Sequence, residues 1–310
     1  MSSYYQTFFD ALLEGDLERR TDFSTGHEAL YRKGQLIACD SNDIVENPSL
    51  TETIMLEPHI VLFGAGHVGK ALYDLAVLQN LKVTVFDSRA ELLTEQRFSK
   101  ATRIADSYDN ALSKEYDFVS PYYTIFTHGH VHDTECLYYA LTHKHSYVGM
   151  IGSKGKVAYC LEQVKAKGIT DEQLKKLHSP IGLSINAVTP QEIAISIMAQ
   201  IISIFRADKH TITIDSPILQ AAAKEKGIMV RIIEKNGSAP RSVGSMMFVT
   251  QGKIYGTVGG GAIENHAIET AYQMLGNKEK LKLEHHVLTG NEELGMNCGG
   301  KNTLLYKYIE

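Results

Sequence analysis

From His59 onward the chain alternates short apolar runs with stretches of helical length, and this alternation restricts the fold more than any other feature. His59 to Phe63 reads as a buried strand and Val68 to Gln79 as a helix. Lys82 to Phe86 is a second strand. Tyr122 to Phe126 is another, followed by a helix from Asp133 to Thr142. Tyr147 to Ile151 is the next strand, followed by a helix from about Lys154 to Lys165. Strands that alternate with helices in this way form a parallel sheet covered on both faces. The region closes on Thr189-Pro190-Gln191-Glu192, a capping box with proline at the first helical position. Its helix runs to about Phe205 with apolar residues on nearly every face (Ile193, Ile195, Ile197, Met198, Ile201, Ile202), which predicts a largely buried helix. Arg206 to His210 is the natural boundary.

The flanking segments read differently. Tyr4 to Glu14 is a short helix stopped at Gly15, and Glu28 to Cys39 is a hairpin turning at Lys33-Gly34. Beyond the boundary, Ser216-Pro217 starts a helix that ends at Gly227. Ile228 to Glu234 is a strand, and Ser245 to Gly256 a hairpin turning at Gln251-Gly252. Residues 1–57 are too few and too poor in apolar positions to make a core alone. The expected architecture is therefore α/β: a Rossmann-like, doubly wound parallel-sheet domain (58–208) inserted into a second, split α+β domain formed by 1–57 and 209–310.

Composition bounds the function. Acidic residues outnumber basic ones, 36 to 31, and the basic ones are scattered, which argues against a nucleic-acid or anionic-membrane surface. The longest apolar run, Ala194 to Phe205, is too short to span a bilayer. No secretory signal is visible at the N-terminus, and the four cysteines (Cys39, Cys136, Cys160, Cys298) contain no Cys-x-x-Cys pair. A reducing, cytoplasmic setting is expected.

Two glycine-rich loops carry the candidate chemistry. Gly64-Ala65-Gly66-His67-Val68-Gly69 follows a strand and opens a helix, the context of a dinucleotide fingerprint. Asp87 ends the next strand, where a carboxylate would meet a ribose hydroxyl, and His67 would lie near a bound phosphate or face solvent. Thr127-His128-Gly129-His130-Val131-His132-Asp133 follows the strand Tyr122 to Phe126, on the edge where parallel sheets bind ligands. His128, His130, His132 and Asp133 suit a metal by residue type, but a turn into helix at Val131-His132 would separate them, and hydrogen-bonding histidines are the favoured reading. Gly152 and Ser153 reach the same edge, as a phosphate site or with Ser153 as a plain N-cap. The second loop, Gly259-Gly260-Gly261, leads into a helical stretch from Ala262 to Leu275 and aims backbone N–H groups at one spot. Arg241, in Gly237-Ser238-Ala239-Pro240-Arg241, offers a bidentate fork for a phosphate. Cys298, before Gly299-Gly300, offers a soft ligand or sulfur carrier, or is an inert small residue in a turn. Glu264 is either a partner of the helix dipole or a proton-transfer group.

Together these segments resemble the xanthine dehydrogenase accessory protein family of the XdhC/CoxI type. The resemblance is carried by Phe63 to Gly69, Phe86-Asp-Ser-Arg89, Thr127 to His130 with Asp133, and Tyr147 to Ser153. It continues through Ser179 to Leu183, Thr189 to Ala194, Gly237 to Arg241, Gly256 to Gly261 with Glu264, and Cys298 to Gly300. It implies a cytoplasmic maturation factor, rather than a catalyst, that binds and protects molybdenum cofactor (molybdopterin). Such a factor delivers the sulfurated cofactor to a molybdenum hydroxylase of the xanthine dehydrogenase type. The resemblance places the cofactor against Gly64, Gly66, His67, Gly69, Asp87, Thr127, His128, Gly152 and Ser153. In the other domain it points to Ser238, Arg241, Gly259 to Gly261 and Cys298, with Cys298 and Glu264 as the chemically active pair. A sulfur donor is a further implied partner, and a homodimer is left open. In the usual family order the Gly-Ser-Ala-Pro-Arg segment comes first, so this chain reads as circularly permuted. Many members place a cysteine after the glycine triplet where this chain has Ala262, which leaves the sulfur chemistry to Cys298. The residues alone also permit an NAD(P)-dependent oxidoreductase with His128 as acid or base, or a scaffold whose loops are structural.

Overall fold

The computed structural model describes residues 3–41, 45–128, 130–207, 211–236, 243–287 and 301–310. The chain opens with α1 (Ser3–Glu14) and four strands, β1 (Leu17–Thr21), β2 (Glu28–Arg32), β3 (Gln35–Cys39) and β4 (Leu50–Leu56). There follow β5 (His59–Phe63), α2 (His67–Leu78), β6 (Lys82–Asp87), β7 (Thr102–Ala105), α3 (Tyr108–Leu112) and β8 (Pro121–Ile125). Next come α4 (His130–Thr142), β9 (Tyr147–Met150), α5 (Lys154–Ala166), α6 (Asp171–Leu174), β10 (Leu177–His178) and α7 (Pro190–Phe205). The last part comprises β11 (Thr211–Ile214), α8 (Ser216–Ala222), β12 (Gly227–Asn236), β13 (Met246–Val249), β14 (Ile254–Gly256), α9 (Gly261–Asn277), β15 (Leu281–Val287) and β16 (Lys301–Ile309). Two compact units result: residues 58–207, and residues 1–57 together with 208–310. No described helix is long and apolar enough to cross a membrane.

The central unit is a six-stranded sheet in the order β10-β9-β8-β5-β6-β7. Every described strand pair in it is parallel. Counted from β5, this is the 3-2-1-4-5-6 order of a Rossmann fold, and the order reverses between β5 and β8. Every residue of β5 and β8 is buried, as expected of strands with helices on both faces. Phe63 anchors the core, stacked on Tyr123 at 5.8 Å and tilted against Phe86 at 5.1 Å. Each such ring contributes about 1.5–3 kcal/mol on burial. The helix α7 has the expected capping box, Thr189 with Glu192. It is less buried than its sequence implies: Ala194, Ile197, Met198 and Ile201 face inward, but Ile195 is 51% exposed and Ile202 37%. One face packs on α2, and the other carries isoleucines into solvent.

The flanking unit contains two five-stranded sheets, β11-β4-β1-β2-β3 and β14-β13-β12-β16-β15. Backbone pairing joins its two sequence segments, because β11 runs parallel to β4 with Ile212 opposite Ile54. A buried charge cluster joins them again. Arg19 donates to Glu52 from Nε (3.1 Å) and Nη2 (2.8 Å), while Arg231 on β12 donates to Glu28 (2.6 Å) and to the Thr21 hydroxyl (3.0 Å). All four charged side chains are at most 4% exposed. The first segment therefore contributes a polar interior as well as an apolar one. Arg19 and Glu52 belong to that interior although neither is apolar, so a count of apolar positions in residues 1–57 leaves them out.

Candidate functional site

The carboxyl ends of the central strands gather most of the sequence-selected residues of that unit. Gly64 follows β5 at the reversal point, donates its N–H to Phe86 O (2.8 Å) and has φ +125°. A Cβ there would sit 2.4 Å from Phe126 O, so the loop passes β8 at a distance only glycine allows. Gly69, in the first turns of α2, faces back onto Gly64 O. Gly66 differs from both. It is the N-cap of α2, no side chain caps it, and a Cβ would meet nothing within 4 Å. The amides that open α2 have no described side-chain partner, and the backbone at Gly66 has open space beside it, an arrangement that suits an anionic group.

The peptide between these glycines is clamped on both sides. The Ala65 N–H donates to Asp87 Oδ2 (2.7 Å), and the Ala65 carbonyl accepts from Arg97 Nη2 (3.0 Å). Asp87 also accepts from Arg89 N (3.0 Å), Nε (2.9 Å) and Nη2 (2.8 Å). Burial opposes its charge, but the Arg89 and Ala65 hydrogen bonds outweigh burial and hold its pKa below the ordinary carboxylate value. Four donors fill the roughly four acceptor positions of a carboxylate. Asp87 therefore shapes the loop, and binding a ribose hydroxyl would require one of these bonds to break. Arg97 was not legible from the sequence, because it comes from the irregular stretch between β6 and β7. It also borders a cleft of about 290 Å³ lined by His67, Lys70, Asp74, Leu75, Gln191 and Ile195.

Among the described residues of the histidine segment, no three metal-ligating side chains come together. Asp133 is fully buried and accepts from the Thr127 N–H (3.2 Å) and hydroxyl (2.5 Å), with its other oxygen paired to Lys156 of α5. His132 stacks on Tyr108 at 4.9 Å and contacts Glu135 at 3.2 Å. His128 is exposed. α4 begins at His130, so His132 and Asp133 turn to different partners, and the contacts favour hydrogen-bonding roles over a metal. Neither Gly129 nor the side chain of His130 is among the described residues. Ser153 is the N-cap of α5 and accepts from Lys156 N (3.3 Å), with Gly152 packed against the Lys156 and Val157 side chains. Lys156 was missed from the sequence, though its place three residues after an N-cap serine puts it at a helix N-terminus.

The glycine triplet departs from the phosphate reading. Gly259, Gly260 and Gly261 all have positive φ (145°, 79°, 69°), and α9 starts at Gly261. The concavity they form holds the protein's own anion. Glu264 Oε2 accepts from the N–H groups of Val258 (3.1 Å), Gly259 (3.1 Å) and Gly260 (3.0 Å), and from the Thr257 hydroxyl. Burial raises the Glu264 pKa, but the Thr257 hydroxyl and the three amides outweigh it, so the net shift is downward. The amides of Val258, Gly259 and Gly260 are thus taken by a carboxylate that stays ionised, which also makes Glu264 a poor proton donor. Glu264→Ala is expected to destabilise the flanking unit by about 1–3 kcal/mol. Added sulfate should restore part of the loss by entering the vacated nest. Denaturant midpoints with and without sulfate test this; a midpoint equal to wild type overturns it. Ser238, Arg241 and Cys298 lie outside the described residues.

Comparison with known proteins supports a single family. The XdhC Rossmann domain description matches residues 60–201, and that of the XdhC and CoxI family matches residues 220–286, together about two-thirds of the chain. The chain is 32% identical over 149 residues to the uncharacterized protein YqeB of Escherichia coli, covering 48% of this chain and 28% of that protein. It is 29% identical over 148 residues to a protein of Bacillus subtilis described as a probable xanthine dehydrogenase subunit, covering 47% of this chain and 42% of that one. A solved structure described as a xanthine dehydrogenase from Bacillus halodurans is 26% identical, with a TM-score of 0.50 and 66% of each chain covered. The chain thus spans less than half the length of these two curated relatives.

Proposed function

Because the chain belongs to the XdhC and CoxI family, we propose that it is an accessory and maturation factor for a molybdenum hydroxylase of the xanthine dehydrogenase type. In this reading the protein is cytoplasmic, holds the anionic molybdenum cofactor in the central unit, and passes the sulfurated form to the hydroxylase. The observation that carries the binding site is the contrast between the two glycine loops. The amides of Gly259 and Gly260 are taken by Glu264, whereas among the described residues no side chain accepts from the amides that open α2 at Gly66.

When bound, the cofactor supplies a phosphate ester and a dithiolene-held metal. The residues of this chain bind and orient it. The amides from Gly66 onward would meet the phosphate, Asp87 and Arg97 hold the Ala65 peptide in place, and Arg89 and His67 stand beside the loop. Thr127 and Lys156, tied to Asp133, brace the neighbouring strand end. Exchange of sulfur with a donor, and the permuted order of the two family segments, belong to the same proposal, with Cys298 as the thiol. The nicotinamide alternative is disfavoured by the saturated hydrogen bonding of Asp87.

Gly66→Asp separates ligand binding from folding. Aspartate is a preferred N-cap, and Gly66 has φ −68°, so the variant should be as stable as wild type or slightly more so. Its carboxylate would occupy the anion position, and pterin released from protein purified out of a cofactor-producing host should fall at least tenfold. Undiminished pterin in this variant would remove the loop as the cofactor site, and NAD or NADP binding by calorimetry would favour the oxidoreductase.

A further inference from the structure

Outside the glycine loops, α9 and the edge strand β15 bring together His266, Glu284 and His286. Glu284 Oε2 lies 3.4 Å from His266 Nε2 and 3.4 Å from His286 Nε2, and the three ligand atoms fall within 4.8 Å of one another. Glu284 and His286 share one face of β15 because they are two residues apart, and His266 reaches them from the helix packed on that sheet. In a tetrahedral zinc site with bonds of about 2.0–2.1 Å, two ligand atoms are separated by roughly 3.3 Å. The two distances to Glu284 already have that value, and the third side, at most 4.8 Å, would shorten if the imidazole of His266, 43% exposed, turned away from its 3.5 Å contact with the Thr270 hydroxyl.

The polar atoms around this point are also poorly satisfied. Glu284 Oε2 and His286 Nε2 are buried, and apart from their own 3.4 Å contact and the Tyr306 hydroxyl beside Glu284 they have no well-aligned hydrogen-bond partner among the described residues. Asn302 pairs with His286 across β15 and β16, so its side chain shares that face, and its Oδ1 is likewise buried without a hydrogen bond. Asn302 is 2% exposed and the His286 side chain 10%. Buried polar atoms so poorly paired are costly, and two of them, Glu284 Oε2 and His286 Nε2, meet at one point where a cation would satisfy both. Lys282 does not supply it, because its Nζ holds the other oxygen, Oε1, at 2.6 Å. That contact fixes the carboxylate with Oε2 toward the imidazoles, as an outer hydrogen bond orients a metal ligand. The sequence signal, Glu284-His285-His286 with His266 eighteen residues earlier, is visible only once residues 281–287 are known to form a strand. His285 falls on the opposite face and bonds the Thr303 hydroxyl at 3.0 Å.

We propose that His266, Glu284 and His286 form a divalent transition-metal site, with zinc as the first candidate and one coordination position open toward solvent. Two imidazoles and one carboxylate are a donor set that zinc and iron(II) both accept. The test uses the full chain, stripped by chelator and with its cysteines alkylated so that thiols cannot contribute. Titration with zinc against a chromophoric competitor should show one tight equivalent, and cobalt(II) should give the visible bands of a four- or five-coordinate nitrogen and oxygen site. His286→Gln and His266→Gln should each weaken zinc binding at least tenfold. His266 is the safer variant for folding because it is the most exposed of the three. Absence of a stoichiometric zinc equivalent in the alkylated chain, or affinity unchanged in a folded His266→Gln variant, overturns the assignment.

Discussion

Replacing Arg19 by methionine is expected to destabilise the flanking unit by about 3–5 kcal/mol, the range for breaking a buried ion pair by removing one partner. Two arginines face two glutamates in this cluster, and Arg19 is 1% exposed. Without it, the cation left to Glu52 among the described residues is the more distant Arg231, at 3.8 Å. Exposed ion pairs would lose far less, about 0–1 kcal/mol. The same logic predicts that Arg19→Met combined with Glu52→Leu recovers much of the loss, since exchanging both partners for apolar groups leaves no orphaned charge. Hydrogen exchange in β1, β4 and β12, read against denaturant, reports on the unit that holds the cluster. A single variant no weaker than the double one would show that the pair is not what stabilises this interior.

The cluster also sets a pH window. Burial raises the Glu28 pKa, but Arg231, Lys307 and Arg19 outweigh it and lower it from 4.5 to about 2. A carboxylate with a depressed folded pKa adds stability that is complete above its unfolded value and disappears as pH falls through the folded one. Stability of the flanking unit should therefore decline from about pH 4.5 toward about pH 2. In Arg231→Met the cation in direct contact with Glu28 is gone, so the decline should be shallower from a lower starting point. Unfolding midpoints at several acidic pH values test both statements.

The central sheet was legible because its signals are local. Apolar runs of strand length, a glycine loop opening a helix and a capping box at Thr189 each act within a few residues. β7 and β10, short strands at the sheet edges, carry no comparable run and were not anticipated. The flanking unit was less legible for the opposite reason. Arg19 and Glu52 look like surface charges until partners far away in sequence neutralise them, and no periodicity announces that. Among the site residues, Gly64 and Gly69 could be read from spacing, since a glycine fingerprint encodes close backbone approach. The fate of the triplet could not. Whether its amides serve a ligand or Glu264 depends on where one carboxylate folds back, and a sequence spacing of four or five residues permits both.

Gly69→Ala should be the most damaging change in the glycine loop, and Gly66→Ala among the mildest. A methyl group on Gly69 would lie 2.1 Å from Gly64 O, a backbone atom that cannot rotate away. Gly64 itself has no freedom to retreat, with its N–H bonded to Phe86 O and its own Cα facing Phe126 O. Ala65 is held by Asp87 on one side and Arg97 on the other. The helix must therefore move, and with it Leu72, Tyr73 and Ala76 on its buried face. Overpacking of this kind costs about 3 kcal/mol at the upper end of its usual range. At Gly66 the added methyl group meets nothing, so the loss should be limited to the poorer capping by alanine, about 1 kcal/mol. Protection of α2 amides against hydrogen exchange measures both variants on the same helix. Equal protection would mean that the loop yields where the structure holds it from three sides, and the preset backbone invoked for anion binding at Gly66 would lose its basis.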